Sequence, residues 1–207
     1  GGPAARPGEV CLAHGGILFL DELPEFSRPS LEALRQPLED RFVRVARARE
    51  SLEYPSRFML VAAANPCPCG YLGHPQKACS CPPRAVERYL GRLSGPLLDR
   101  IDLQIELGPV DFADWASAAK VPASSGDSSA VVRERVIAAR ARQARRWGEG
   151  ATAMNALVEP AVLRRKADAT PVAFRTLEAA QRMAALSARA LDKVLRVART
   201  ISDLAGS

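Results

Sequence analysis

Two groups of residues in this chain are of the type and spacing that do chemistry. The first begins at Gly16-Ile-Leu-Phe-Leu-Asp-Glu22, a short apolar run closed by two adjacent carboxylates. A carboxylate at the end of a buried strand can hold Mg²⁺ directly or through water, and a second one beside it can orient or deprotonate an attacking water. Asp21 and Glu22 are the candidates, although an Asp-Glu pair opening a surface turn is the plainer alternative. Asn65 closes a second apolar run, Phe58–Ala64, where a side chain next to those carboxylates would polarise the same water or a γ-phosphate. An Asn-Pro turn is the alternative there. In Ser94-Gly-Pro-Leu-Leu-Asp-Arg-Ile-Asp102, Arg100 is expected at the end of a helix. A fixed guanidinium at such a place stabilises charge on a transferring phosphate of a neighbouring subunit, or else simply pairs with a surface Asp.

The second group is Cys67-Pro-Cys69 and Cys79-Ser-Cys81. This C-x-C, nine residues, C-x-C spacing brings four thiolates within reach of one tetrahedral Zn²⁺, leaves Cys11 out, and allows His74 to replace one ligand. A site closed by four protein ligands is structural rather than catalytic. C-x-C is tighter than the common C-x₂-C knuckle, so free or buried thiols remain the alternative, and disulfides are disfavoured in a cytoplasmic protein.

The elements that must position these residues are legible as periodicities. Ile17–Leu20 reads as a parallel strand buried on both faces, Phe58–Ala64 as a second, and Ile101–Leu107 as a third that alternates. Ser27 caps an expected helix with Pro29 in its first turn and Leu31, Leu34 and Leu38 on one face, ending near Asp40. Phe42–Val45 and Ser51–Tyr54 form an expected hairpin around an Arg-rich tip. Three strands separated by helical segments argue for a parallel α/β sheet over about residues 1–115. A Ser/Gly/Pro-rich linker, 116–128, follows. The remainder, 129–207, reads as a small all-helical domain with helical patterns over about 131–147, 159–167, 171–185 and 188–204.

Composition sets the outer limits. The chain has 207 residues, 47% hydrophobic and 25% charged, enough for one sizeable core or two small ones. No apolar run approaches the roughly 18 residues of a membrane span, and no signal-peptide core is present, so a cytoplasmic location is expected. A net charge of +6 permits nucleic-acid binding without establishing it. Arg44, Arg47 and Arg49 on the expected hairpin are the candidates for following a phosphate backbone, against an ordinary solvated hairpin. Aromatic residues make up only 5%, so stacking platforms for bases are not evident.

Taken in order, Pro7–His14, Gly16–Phe26, Asn65-Pro-Cys-Pro-Cys-Gly70, Arg88–Asp102 and the tail Ser187–Gly206 resemble the YifB/ComM family of magnesium-chelatase-like AAA+ ATPases over nearly the whole chain. The resemblance implies a partial AAA+ parallel sheet core followed by an all-α lid. It makes Asp21 and Glu22 the Walker B pair, Asn65 sensor 1, Arg100 the finger acting in trans, and Arg189 a γ-phosphate contact from the lid. It further implies ATP and Mg²⁺ as cofactors, a homo-hexameric ring, and a DNA helicase or branch-migration function in DNA uptake and recombination. A magnesium-chelatase motor subunit and a non-catalytic interaction module are the alternatives. One departure matters: no Gly-x₄-Gly-Lys-Ser/Thr occurs in these 207 residues. A start at Gly1-Gly suggests a piece of a longer protein, and by itself this piece is expected not to hydrolyse ATP.

Overall fold

In the computed structural model the described residues are 7–46, 51–110, 112, 115–116, 126–148, 150 and 153–206. The chain forms two compact units, Gly1–Pro109 and Val110–Ser207.

In the first unit, α1 (Glu9–Leu12) leads into β1 (Ile17–Leu20), a 3-10 turn (Leu23–Glu25), α2 (Arg28–Ala33) and α3 (Arg35–Asp40). Then come β2 (Phe42–Ala46), β3 (Ser51–Pro55), β4 (Met59–Ala62), α4 (Pro83–Leu90) and α5 (Gly95–Leu98). β1 and β4 pair in parallel, Ile17 opposite Met59 and Leu20 opposite Ala62. β2 and β3 form the expected antiparallel hairpin, Val43 opposite Tyr54. Arg47 and Arg49 lie outside the described residues, as do residues 117–125 of the expected linker.

Three sequence expectations need correction. The helix after Ser27 is two helices broken at Leu34, because Pro37 has no N–H to give Ala33 and its ring collides with that carbonyl. The Ser27 cap is as expected, its hydroxyl accepting the Ser30 N–H at 3.3 Å. Second, β1 and β4 are not buried on both faces. Leu18 and Leu20 pack on the core of Leu23, Leu31, Leu34 and Leu97, whereas Ile17 and Phe19 are each 59% exposed and Met59 is 57% exposed. Burial on both faces needs two covering layers, and among the described residues only one covers these strands. Third, Ile101–Leu107 forms no strand: Leu103, Ile105 and Leu107 stand 64%, 78% and 90% exposed. Alternation marks a segment able to join a sheet, but a strand exists only once its backbone is paired.

Among its described residues the second unit has only helical elements: α6 (Ser129–Trp147), a 3-10 turn (Asn155–Leu157), α7 (Pro160–Lys166), α8 (Pro171–Ala184) and α9 (Ala188–Ala205). Ser128, Thr170 and Ser187 cap α6, α8 and α9 with side-chain oxygens. Its apolar core is small, Leu163, Ala167 and Leu195 with Trp147, Val158 and Ala169 against it. A buried polar network supplements it. The Asp203 carboxylate, 0% exposed, accepts from Arg146 at 2.7 and 3.0 Å, from Asn155 Nδ2 at 2.9 Å and from Arg199 Nε at 3.2 Å. Asn155 Oδ1 in turn accepts the Trp147 indole N–H at 2.7 Å. No helix among the described residues is long and apolar enough to cross a membrane.

Candidate active site and cysteine cluster

Parallel pairing of β1 with β4 brings the two strand ends together. The ladder runs on beyond them, with the Ala63 N–H donating to Leu20 O at 2.9 Å and the Leu23 N–H to Ala63 O at 2.8 Å. Asp21 and Glu22 are therefore clamped on both sides by hydrogen bonds to the segment that carries Asn65. Asp21 Oδ1 accepts the Glu22 N–H at 2.9 Å. Glu22 adopts a left-handed backbone, φ 49° and ψ 46°, which costs a non-glycine residue about 1 kcal/mol and reverses the chain into the 3-10 turn. Both carboxylates and Asn65 are solvent-exposed, so they are open to a hydrated cation or a phosphate.

Tyr89, on α4 and 5% exposed, lies beneath this group. Burial and the charge of Glu25 push its phenol above the ordinary range, while a hydrogen bond from the Asn65 backbone pulls the other way. Glu22 and Cys67 are close enough to add to the upward push. Three residues on, Arg92 Nη1 donates to Pro24 O at 2.6 Å and to Glu25 Oε2 at 3.0 Å. Tyr89 thus fastens α4 to the Asn65 backbone, and Arg92 fastens its exit to the turn that follows the acidic pair. Neither was singled out from the sequence. The available signal was a tyrosine on the apolar side of a short helix, which when buried needs a polar partner.

Arg100 is placed differently from Asn65. Its guanidinium pairs with Glu39 at the end of α3 and donates to Pro96 O at 2.6 Å, and its side chain is 13% exposed. It is held by its own unit rather than by Asp21 or Glu22. Arg189 lies exposed in the first turn of α9, in the second unit. Arg44 forms a cross-strand pair with Glu53 at 2.6 Å and lies 5.0 Å over the Phe42 ring, so its charge is already partly met.

The four cysteines converge. Cys67, Cys69 and Cys79 sulfurs lie 3.4, 3.6 and 3.5 Å apart pairwise, and all four ligand atoms fall within 4.8 Å of one another. The group could hold a metal ion. Cys11 is outside it. So is His74, whose Nδ1 instead accepts the Gln76 and Lys77 N–H groups, each at 3.1 Å. Backbone donors shape the pocket: Leu72 N–H to Cys67 Sγ and Cys81 N–H to Cys79 Sγ, both at 3.4 Å. Gly70, at φ 80°, turns the chain directly after Cys69. The thiols do not titrate alike. Hydrogen bonds from the Tyr71 and Ser80 backbone lower Cys69 to about 5, while burial pushes Cys81 up to about 12.

With this geometry in place, comparison with known proteins is decisive for the family. Residues 1–115 match the model described as magnesium chelatase, subunit ChlI, and residues 126–207 match that of the ChlI C-terminal region. The chain belongs to the magnesium chelatase ChlI family. This ChlI-family chain is 44% identical over 205 residues to YifB of Escherichia coli and 41% identical over 206 residues to the competence protein ComM of Haemophilus influenzae. It is 46% identical over 206 residues to a protein of Mycobacterium tuberculosis. These alignments cover 99–100% of the chain but only 38–39% of the length of those relatives. The resemblance to YifB and ComM read from the motifs therefore stands, as does the fold class of a partial AAA+ core with a helical domain.

Proposed function

We propose that this chain supplies the acidic half of an ATP-hydrolysing site in an AAA+ motor that remodels DNA. The observation that supports this most is the hydrogen-bonded clamp from Leu20 through Leu23 to Ala63, which keeps Asp21 and Glu22 next to the strand leading to Asn65. In this reading Asp21 holds Mg²⁺, Glu22 orients and deprotonates the attacking water, and Asn65 polarises it or the γ-phosphate. Arg100 completes the site of the next subunit in a hexameric ring, and Arg189 contacts the γ-phosphate from the helical unit. Bound ATP–Mg²⁺ supplies the phosphoryl group; the chain's residues position and polarise. The DNA part draws on the name of the ComM relative, a competence protein, and on the basic hairpin carrying Arg44, Arg47 and Arg49. The cell location proposed is the cytoplasm.

A second reading has its own support. The matching family is described as a magnesium chelatase subunit, and a motor driving Mg²⁺ insertion into a porphyrin would use the same acidic pair. The deciding experiment is Mg²⁺-dependent ATP turnover by the longer protein that carries this chain, with and without DNA. Expected are turnover stimulated by DNA and a loss of at least about 100-fold in Glu22→Gln with nucleotide binding retained. Full turnover in Glu22→Gln would sink the assignment. ATP turnover indifferent to DNA but stimulated by a chelatase partner would favour the second reading. The 207-residue chain alone is expected to show no turnover.

A further inference from the structure

We propose that Cys67, Cys69, Cys79 and Cys81 form a closed structural Zn²⁺ site that holds Asn65 and α4 against the Asp21–Glu22 turn. Zinc thiolate bonds of about 2.3 Å in a tetrahedron require sulfurs about 3.8 Å apart. The separations among Cys67, Cys69 and Cys79, 3.4 to 3.6 Å, fall just short of that, and all four sulfurs lie within 4.8 Å of one another. Four soft sulfur donors in this arrangement select Zn²⁺ over Mg²⁺ or Ca²⁺, which take oxygen. An iron–sulfur cubane places its thiolates on separate irons and spreads them wider than these distances.

The surroundings argue for a built site rather than a chance meeting of thiols. Backbone N–H groups of Leu72 and Cys81 already donate to the Cys67 and Cys79 sulfurs, which orients thiolates toward a shared ion. Between the two C-x-C pairs, Lys77 Nζ stacks 3.7 Å from the Tyr71 ring and Tyr71 meets His74 edge-on at 5.7 Å, which closes the connecting loop on itself. The loop contains no regular secondary structure of its own, so a metal is the natural means of fixing it.

Position gives the site its consequence. Cys67 is two residues beyond Asn65, and Cys81 is two residues before Pro83, the first residue of α4. The metal would therefore staple the exit of β4 to the start of the helix whose Tyr89 meets the Asn65 backbone, with Arg92 just beyond it gripping Pro24 and Glu25. The coupling half of this inference rests on reading Asp21–Glu22 as the ATP site; the metal half does not.

The test uses the whole 207-residue chain purified without chelator. Elemental analysis is expected to give about one Zn²⁺ per folded chain, unchanged in Cys11→Ser and reduced in Cys79→Ser and Cys81→Ser. Cobalt added to the metal-stripped chain is expected to show the intense visible and thiolate charge-transfer bands of a tetrahedral four-sulfur site, a readout that needs no variant. Less than about a tenth of an equivalent of zinc in well-folded protein, weak six-coordinate cobalt bands, iron in place of zinc, or two disulfides under reducing purification would each overturn the site. Amide hydrogen exchange then tests the coupling. Stripping zinc is expected to speed exchange at least about tenfold around Leu23–Glu25, Asn65 and Tyr89 and to leave α6 and α9 unchanged. Zinc bound with no such change would refute the coupling alone, and none of these readouts depends on ATP turnover.

Discussion

Replacing Asp203 by Asn should unfold the helical unit more than any other single polar change, and the structure permits the size to be worked out. Asp203 is fully buried and accepts from two arginines and one amide at 2.7 to 3.2 Å. Asn is nearly the same size, so the cost comes from charge: Arg146, 18% exposed, and Arg199, 9% exposed, lose their shared counter-ion. Removing one partner from a buried ion pair costs about 3–5 kcal/mol, against a total stability of about 5–15 kcal/mol for a domain. With an m-value of about 1–3 kcal/mol per M of urea, the midpoint should fall by at least about 1 M. Trp147 reports directly, because its indole donates to Asn155 in the same network. A Trp115→Phe background removes the other tryptophan, which is 67% exposed. The pH dependence provides an independent check. Burial alone would raise the Asp203 carboxyl, but Arg146, Asn155 and Arg199 outweigh it and hold it below the usual carboxylate range. A depressed folded value means this contribution is complete above the unfolded carboxyl value of about 3.9 and drains away as pH falls through the folded value. Asp203→Asn should therefore flatten the acid side of the stability curve below about pH 4. A midpoint shift equivalent to less than about 0.5 kcal/mol, with the acid limb unchanged, would refute the reasoning.

Further outcomes can be checked with equal directness. Tyr89→Phe keeps the packing but orphans a hydrogen-bond partner at the Asn65 backbone, and should cost about 1–2 kcal/mol in urea unfolding of the first unit; no measurable change would show that the contact is unimportant. Arg92→Ala removes both bonds to the Pro24–Glu25 turn and should speed amide exchange there by about tenfold while sparing β2 and β3. Arg100→Ala should abolish ATP turnover in the assembled longer protein yet recover part of it when mixed with Glu22→Gln subunits, since each variant supplies what the other lacks at a shared site; no recovery on mixing would count against a finger acting in trans. Glu53→Gln frees the Arg44 guanidinium from its cross-strand partner and should tighten single-stranded DNA binding, whereas Arg44→Gln should weaken it and lower the salt slope by about one contact. Identical salt titrations for both variants would remove the hairpin from the DNA reading.

Short-range information was enough for much of the framework. The hydroxyl cap at Ser27 and the apolar spacing of the later helices locate these elements, because capping and periodicity are matters of a few consecutive residues. The strands at Ile17–Leu20 and Met59–Ala62 and the hairpin were equally legible, since alternation or an apolar run bounded by turn residues is local. The break at Leu34 was available too, in Pro37, but helical spacing of Leu31, Leu34 and Leu38 concealed it. Where the reading went astray, the missing fact was non-local. Ile101–Leu107 has the pattern of a strand, and pattern alone cannot supply the neighbour that would pair with it. Ile17, Phe19 and Met59 have the composition of a two-sided buried sheet, and composition cannot say which layers are at hand to cover it.

The candidate site divides in the same way. The sequence by itself determined the chemical types and their order: two carboxylates closing an apolar run, an asparagine closing the next, four cysteines in two tight pairs, an arginine after a capped turn. It also carried the family, because motifs in fixed order are a one-dimensional property. Only the tertiary structure decided which of these meet. Parallel pairing and the Ala63 bonds bring Asp21 and Glu22 beside the Asn65 segment across more than forty residues of chain. Folding of the loop after β4 gathers four sulfurs within 4.8 Å and excludes His74 by turning its Nδ1 to the backbone, and packing of α5 near α3 ties Arg100 to Glu39. Tyr89 and Arg92 in the first unit, and separately Asp203 in the second, take their roles from packing and have no motif to announce them. Such contacts depend on distances between residues far apart along the chain, set jointly by packing and burial, and no window of neighbouring residues contains them.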